Sequence, residues 1–480
     1  MSVIRTGKLA TATLLFLTIA AVQGCGGGSD SSEAPTVPAA QLAEVQVQGT
    51  TPMIAAAIDL SSVGYTEREF YAEGKGNRYR GAQDGKQATA EVIDGNWPYK
   101  TRVLVRAPQA AKFNGTLVVE WANVTLGQDV DFGFAESYKH LLREGYAVAV
   151  VSPQKMGVDR LKTWSPQRYG SLSVDVGNID PVGGGNIDAC GADATCAGDA
   201  LSWDVLAQVS KALKENTGPN PPLPGMKVKH VIALGESQSA VRLTTYYNTI
   251  QPIHQFFDGF VHLDMAMQRR SDLSVPSVSV NSEVTVAMFP ATTTSKFTRT
   301  WAVAGASHSS LYGANYVDNM VVRDQSFGGQ SFSQLVAGPG CALTPFFSTV
   351  DSGLVLNAAL ESVNQWIRTG KEAAATREIQ RDASGAVARD ANGMALGGVR
   401  LAQFLAPTAF LAPNSPGVFC ALNGHHRDYA PDELRARYST HNAYVALVRG
   451  AMQQARSDGY ILPFDEQEAI TNAEVSSVAR

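Results

Sequence analysis

Apolar runs and helical patterns alternate through the middle of the chain. Thr116–Ala122, Tyr146–Ser152 and Val228–Leu234 are apolar almost throughout, as strands buried on both faces are. Between them, Phe132–Glu144 and Asp199–Asn216 repeat apolar residues at helical spacing. This alternation is typical of a parallel sheet with helices on both faces. The pattern therefore predicts an α/β fold with a mostly parallel sheet.

Further elements are predicted around this segment. Strand-like runs precede it at Glu44–Gln48, Glu67–Ala72 and Thr101–Ala107. Two long excursions, Pro153–Gly198 and Ser309–Ser348, interrupt the alternation. A predicted helix at Leu354–Ile367 follows the second excursion. Long loops inside compact domains are usually functional or disordered. We expect these excursions near a site, and a solvated surface loop is the alternative for the first.

The composition limits the possible classes of function. The 480 residues are 44% hydrophobic and 17% charged, which is ordinary for a globular protein. The formal net charge is 39 − 44 = −5 and no long basic run occurs, so the electrostatic footprint of a nucleic-acid binder is missing. One large domain is favoured, because α/β folds routinely exceed the usual domain length.

The first 45 residues are predicted to lie outside this domain. Arg5 and Lys8 precede an apolar stretch, Leu9–Val22, that is too short to span a bilayer comfortably. The stretch ends in Val22-Gln-Gly-Cys25, which resembles the lipobox of bacterial lipoproteins. We therefore expect a signal peptide over residues 1–24, a flexible tether over 25–45 and a folded domain over 46–480. A secretory signal cut near Gly24, with an incidental Cys25, is the alternative.

The lipobox resemblance implies an exported protein whose Cys25 carries a lipid that anchors it in a membrane. Gly26 follows this cysteine, where an Asp commonly retains lipoproteins at the inner membrane. The expected location is therefore the cell envelope, at the outer membrane, facing the periplasm or the surface.

The remaining cysteines agree with export. They form an even set, which indicates disulfides in an oxidising compartment: Cys190, Cys196, Cys341 and Cys420. Cys190 and Cys196 flank a short loop and are expected to pair, which leaves Cys341 for Cys420. A zinc site is the alternative, but no Cys-x₂-Cys spacing supports it and no His lies near Cys190 or Cys196. No metal or other cofactor is expected.

The strongest signal for chemistry is Gly235-Glu-Ser-Gln-Ser239. An apolar strand runs into it and a helical pattern starts at Ala240, which is the strand–turn–helix context of a nucleophile elbow. Such a sharp turn needs small residues two positions either side of the nucleophile, and Gly235 and Ser239 are both small. Ser237 is therefore the predicted nucleophile, and a serine that merely caps the helix is the alternative.

His308 is the predicted general base. In this fold the acid and the base follow the nucleophile along the chain, and His308 comes just after the apolar run Thr300–Ala304 and a short turn. The other histidines precede Ser237, follow it too closely, or lie in polar or helix-like segments: His140, His230, His254, His262, His425, His426 and His441.

Two carboxylates compete for the role of orienting acid. Glu283 follows the strand-like run Pro276–Val280 and is the preferred candidate, because it would hold the imidazole and stabilise its cation. Asp264, after Phe260–Leu263, is the alternative one strand earlier.

The predicted oxyanion hole needs two backbone N–H groups. The elbow supplies one from Gln238. The second is expected from the loop after Trp121, at Asn123, on topology alone.

The elbow Gly235–Leu243 resembles that of a large family of bacterial α/β-hydrolase-domain proteins. Further stretches spread over most of the chain resemble this family too: Val118–Asn123, Trp301–His308, Ala395–Arg400 and Cys420–Gly424. The resemblance implies the α/β-hydrolase fold and a serine esterase-like activity with Ser237, Glu283 and His308 as the triad. It implies no substrate. This chain has Ser309-Ser310 where the family often continues with Ala-Asp.

The expected reaction is hydrolysis of a carboxylic ester through an acyl-enzyme, with a small-molecule or polymeric ester as substrate. An amidase or peptidase with the same triad is one alternative. A lipoprotein that binds a ligand through a degenerate hydrolase fold is the other.

Overall fold

A mixed sheet of nine strands organises the described part of the chain. The structure is a computed structural model, and it describes residues 37–47, 49–188, 198–264, 267–289, 295–337, 343, 345–416 and 420–480. The strands are β1 (Gln41–Glu44), β2 (Tyr65–Arg80), β3 (Glu91–Pro108), β4 (Thr116–Trp121), β5 (Ala147–Val151), β6 (His230–Glu236), β7 (Gly259–Leu263), β8 (Ser277–Ser282) and β9 (Thr298–Val303).

The sheet has the order β1-β2-β3-β5-β4-β6-β7-β8-β9. Pairing is antiparallel from β1 through β3 to β5 and parallel from β5 to β9. The predicted mostly parallel sheet is thus confirmed. A separate ribbon pairs β10 (Ala409–Ala412) with β11 (His425–Asp428).

Helices follow most strands. They are α1 (Phe132–Arg143), α2 (Lys155–Trp164), α3 (Pro166–Tyr169), α4 (Ser202–Glu215), α5 (Gln238–Thr245), α6 (Gln251–His254), α7 (Glu283–Met288), α8 (Leu311–Asp324), α9 (Phe332–Ala337), α10 (Gly353–Thr369), α11 (Ala402–Leu405), α12 (Cys420–Asn423), α13 (Pro431–Arg437), α14 (His441–Ser457) and α15 (Pro463–Val475). A single π-helical turn, Tyr246–Ile250, joins α5 to α6. Short 3₁₀ turns occur at Leu60–Val63 and Ala110–Lys112.

The core lies on both faces of the parallel half of the sheet. Every residue of β4, β5, β7, β8 and β9 is buried. Strands of this kind need cover on both sides, and α1, α4, α5 and α10 all contact the sheet. The apolar runs of the sequence therefore became the interior strands.

The edge of the sheet differs from the sequence prediction. β2 and β3 form a hairpin of 16 and 18 residues, of which Glu67–Ala72 and Thr101–Ala107 are only parts. The outer end of β3 is exposed or partly exposed over Glu91–Pro98, and that of β2 mixes buried and exposed residues, so no apolar run marks them in the sequence. β1 ends at Glu44, where the predicted strand begins.

The folded region also begins inside the segment predicted to be a tether. β1 lies within residues 25–45 and pairs with β2. Val37 and Ala40 are each only 7% exposed, and Pro35–Arg480 forms one compact unit. The folded part therefore begins earlier than residue 46. Its apolar contacts are few and spaced by polar residues, which is why composition alone favoured a tether.

Several predictions fall outside the described residues. The signal peptide, Cys25, Cys190, Cys196 and Cys341 all lie there, so lipidation and both disulfide pairs stay predictions. Cys420 is described and is buried at the start of α12. Within the described ranges, no helix combines the length and the hydropathy that a membrane crossing needs.

Candidate active site

The sharp turn between β6 and α5 carries Ser237. Its backbone has φ 53° and ψ −120°, a conformation that side chains rarely adopt and that is strained. The Ser237 N–H donates to Leu263 O at 2.9 Å, and Ser237 O accepts from Val241 N at 3.0 Å. These bonds fix the turn between β7 and the first turn of α5. The predicted elbow conformation is therefore present.

The small residues on either side of Ser237 explain how the turn closes. A Cβ on Gly235 would lie 2.7 Å from Ser239 O, so only glycine fits there. Ser239 Oγ donates to Glu236 O at 2.7 Å and accepts from Glu236 N at 2.9 Å. Ser239, at a position where glycine is usual, thus ties the turn together with its hydroxyl.

His308 reaches Ser237 from the loop after β9, three strands along the sheet from β6. β9 ends at Val303, and Gly305 turns the chain with φ 79°, where a Cβ would lie 2.5 Å from the Phe404 ring. The backbone N–H of His308 donates to Leu422 O at 2.9 Å. His308 Nε2 then lies 2.8 Å from Ser237 Oγ, and each residue is 8% exposed. The predicted pair of Ser237 and His308 is therefore brought together.

Asp264 occupies the other side of the imidazole. It follows β7 with φ 54°, its N–H donates to Val280 O at 2.7 Å, and its Oδ1 accepts from Ser282 N at 2.5 Å. Its Oδ2 lies 3.5 Å from His308 Nδ1. Both atoms are buried, and neither has another hydrogen-bond partner among the described residues. Catalytic hydrogen bonds are often long without substrate, so Asp264 lies where an orienting acid could act.

The structure does not bring Glu283, the preferred acid, into contact with His308. β8 continues two residues beyond the predicted Val280, and Glu283 begins α7. Its Oε2 accepts from Gly305 N at 2.7 Å, and its Oε1 pairs with Arg389 Nη2 at 2.6 Å. Glu283 thus supports the turn before His308, whereas Asp264, on the strand beside β6, faces the imidazole itself.

The two predicted oxyanion donors differ in the hydrogen bonding of their backbone N–H groups. Gln238 is the first residue of α5, where a backbone N–H has no partner within the helix. The backbone N–H of Asn123, in contrast, donates to Val130 O at 2.9 Å, so in this structure it is already hydrogen-bonded within the loop. Its side-chain Nδ2 instead donates to Glu236 O at 2.9 Å and Glu236 Oε2 at 3.0 Å.

Two buried arginines of β3 hold the loop that carries Asn123. Arg102 Nη2 pairs with Asp129 Oδ2 at 2.8 Å, and Arg106 Nη1 pairs with Asp131 Oδ2 at 2.5 Å. All four side chains are fully buried. Sequence reasoning missed these pairs because the arginines lie within an alternating strand, where outward-facing charges are the usual interpretation.

A small cavity of about 50 Å³ opens beside Ser237 and His308. Its described walls are mainly apolar and include no Lys or Arg: Asn123, Thr125, Leu126, Phe132, Glu236, Ser309, Phe332, Val336, Leu422 and Asn423. Ser309, Phe332 and Val336 belong to the second predicted excursion, so that excursion does line the site. The described residues of the first excursion do not border the cavity.

Comparison with known proteins decides the family. A model of the alpha/beta hydrolase domain family matches residues 33–471. The chain belongs to this family. Its Ser237 elbow and its sheet are thus those of an α/β hydrolase. No curated protein shows a significant match to the chain.

Solved structures resemble parts of this α/β hydrolase at low identity. A serine hydrolase without a lid from Xanthomonas campestris is 10% identical, with a TM-score of 0.27 over 48% of this chain and 88% of that chain. A dienelactone hydrolase from Anabaena variabilis is 12% identical, with a TM-score of 0.26 over 48% and 93%. A rice cell wall degrading esterase from Xanthomonas oryzae is 10% identical, with a TM-score of 0.24 over 53% and 52%.

Three carboxyl groups set the electrostatics of the hydrolase site. Burial alone would lower the pKa of His308, but the hydrogen bond and charge of Asp264, with the charges of Glu236 and Glu136, outweigh it and raise the pKa to about 9. Burial raises the pKa of Glu236 to about 8 and that of Glu136 to about 7. Negative charge around the imidazole therefore favours its protonated form.

The described residues of the hydrolase include no group of His, Cys, Asp and Glu side chains arranged to hold a metal ion. The site offers a hydroxyl, an imidazole and a carboxylate in one line, which can activate the hydroxyl as a nucleophile.

Proposed function

We propose that this α/β hydrolase cleaves carboxylic esters through an acyl-enzyme formed on Ser237. The observation that carries the proposal is the line of Ser237 Oγ, His308 and Asp264, with Nε2 at 2.8 Å from the hydroxyl and Nδ1 at 3.5 Å from the carboxylate. This arrangement is that of a serine hydrolase triad, with Asp264 in place of the expected Glu283.

The proposed reaction has two halves. Ser237 Oγ attacks the ester carbonyl carbon while its proton passes to His308 Nε2, and Asp264 stabilises the resulting imidazolium. The Gln238 N–H, at the start of α5, is the donor that the elbow provides for the oxyanion. Collapse of the tetrahedral intermediate transfers the Nε2 proton to the departing alcohol. Water, activated by the same imidazole, then releases the acid.

The cavity supports an uncharged acyl group as the substrate part held beside Ser237. Leu126, Phe132, Phe332, Val336 and Leu422 give it apolar walls. Its described wall includes no basic side chain to pair with an anionic substrate, and Glu236 would repel one.

The test of the proposed function is a panel of matched esters and amides assayed with Ser237→Ala and with the exposed control Ser62→Ala. We expect ester hydrolysis by the wild type and the control, and a loss of roughly 10⁴-fold or more in Ser237→Ala. Equal turnover in Ser237→Ala would contradict the proposal. Faster cleavage of the amides would assign the same triad to an amidase.

We also propose that the hydrolase acts at the cell envelope, anchored through a lipid on Cys25. The lipobox-like Val22-Gln-Gly-Cys25 supports this, together with the Gly- and Ser-rich residues that follow.

A further inference from the structure

Glu236, the residue before the nucleophile, is buried beside the imidazole. Its Oε1 lies 3.3 Å from His308 Nε2, the same nitrogen that faces Ser237 Oγ. Its Oε2 accepts from Asn123 Nδ2 at 3.0 Å. The amide of Asn123 thus fixes one oxygen of the carboxyl, which leaves the other against the reacting nitrogen.

Two other carboxylates buried in the described chain are paired with arginine, Asp129 with Arg102 and Asp188 with Arg242. Glu236 makes no ion pair with Lys or Arg in the described part of the chain, and His308 is the cation beside it. A buried charge is stable only when it is paired. When Glu236 is ionised, the electrostatic partner of its carboxylate is the imidazolium of His308.

We propose that Glu236 is a positioning residue that acts on the Nε2 side of His308, opposite Asp264, and sets the pH range in which His308 accepts the Ser237 proton. The proposal rests on the proposed serine hydrolase function. Glu236 gives up no atom in the reaction. Its negative charge stabilises the Nε2–H bond that forms when Ser237 Oγ loses its proton, until that proton leaves with the alcohol.

The charged groups that face this pair come from three elements. Asp264 follows β7, Glu236 ends β6, and Glu136 lies on α1. Glu136 contributes charge at a distance, since its own oxygens accept from Ser310 N at 2.9 Å and Ser310 Oγ at 2.6 Å. The described cavity wall, including α9 and α12, adds no other charged group. Removing the charge of Glu236 leaves Asp264 as the close partner of His308.

The direct test is Glu236→Gln, with kcat/KM and the rate of fluorophosphonate inactivation measured against pH. Glutamine keeps an oxygen that can accept from Asn123 but removes the charge. Loss of a nearby negative charge lowers the pKa of the imidazolium. The acidic limbs of both pH profiles, that of kcat/KM and that of the inactivation rate, should therefore move to lower pH by about one unit. Glu236→Ala, which also removes the charge, should move them in the same direction.

The matched control is Glu283→Gln. Glu283 is an equally buried carboxylate, but it contacts Gly305 and Arg389 and not His308. The acidic limb of each pH profile of Glu283→Gln should keep the wild-type midpoint. A role of Glu236 limited to folding would alter thermal unfolding and leave the midpoint unchanged, which would overturn the proposal. If the wild type is neither labelled nor active, the proposed function fails instead; an active wild type with unshifted variants refutes only the role of Glu236.

Discussion

At the scale of single residues, the proposed triad depends on backbone conformations that most residues avoid. Ser237 and Asp264 have φ values of 53° and 54°, and Gly305, before His308, has 79°. Each such residue with a side chain costs on the order of 1–3 kcal/mol unless surrounding bonds compensate. The backbone bonds of Ser237 to Leu263 and of Asp264 to Val280 supply that compensation. The site is therefore held in place before substrate arrives.

The two carboxylates should respond differently to the same substitution. Asp264→Asn keeps an oxygen for Ser282 N but no longer fixes the tautomer of His308, so kcat should fall by about 10⁴-fold with KM nearly unchanged. Glu283→Gln should keep most of the activity and lower the free energy of unfolding by about 1–3 kcal/mol, because it breaks a buried charged contact with Arg389. Steady-state kinetics and urea unfolding measure the two effects. The opposite ranking of activities would return the acid to Glu283.

The sequence could identify Ser237 and His308 because each is marked locally, by a strand, a turn and a small residue. It could not choose between Asp264 and Glu283. That choice depends on two further residues of β8 and on the cap that Ser282 forms on α7. Nor could it find the bridge between Asn123 and Val130, in which the Asn123 backbone N–H is already hydrogen-bonded. No sequence motif marks the turn of the loop that forms this bridge.

At the scale of elements, β3 supports the loop that follows β4. Arg102 and Arg106 lie four residues apart, on one face of β3, and bind Asp129 and Asp131 of that loop. The loop in turn brings Asn123 to Glu236. Buried ion pairs of this kind depend on both partners, since either charge alone is costly.

Asp129→Ala should therefore be strongly destabilising. It leaves Arg102 buried without its closest carboxylate, and we expect a loss of about 3–5 kcal/mol in the free energy of unfolding. The control is Glu44→Ala, which breaks a partly exposed pair with Arg68 and should cost less than about 1 kcal/mol. Urea unfolding of both variants checks this. Similar losses in the two variants would mean that the buried pair does not anchor the loop.

At the scale of the whole molecule, the parallel half of the sheet brings distant residues to one edge. Ser237, Asp264 and His308 follow β6, β7 and β9, and the carboxyl ends of parallel strands meet at the same side of a sheet. Apolar runs were sufficient to predict these interior strands. The long β2–β3 hairpin and the early start of the fold were not predictable, because half-exposed strands carry no continuous apolar signal.

The proposed anchor is a property of the whole exported chain. Cys25→Ser removes the only thiol that the lipobox-like motif offers, so the protein should leave the membrane fraction or fail to mature. Fractionation of cells that express each form measures this. A wild-type protein found entirely in the soluble periplasm would contradict the anchor and leave the hydrolase site unaffected.

The central claim is that Ser237 is a nucleophile activated by His308 and oriented through Asp264. Mass spectrometry of the purified protein after fluorophosphonate treatment tests it most directly. We expect one adduct per chain, on the peptide that contains Ser237, with labelling abolished in Ser237→Ala and strongly slowed in Asp264→Asn. An unlabelled protein, or an adduct on another residue that persists in Ser237→Ala, would contradict the account.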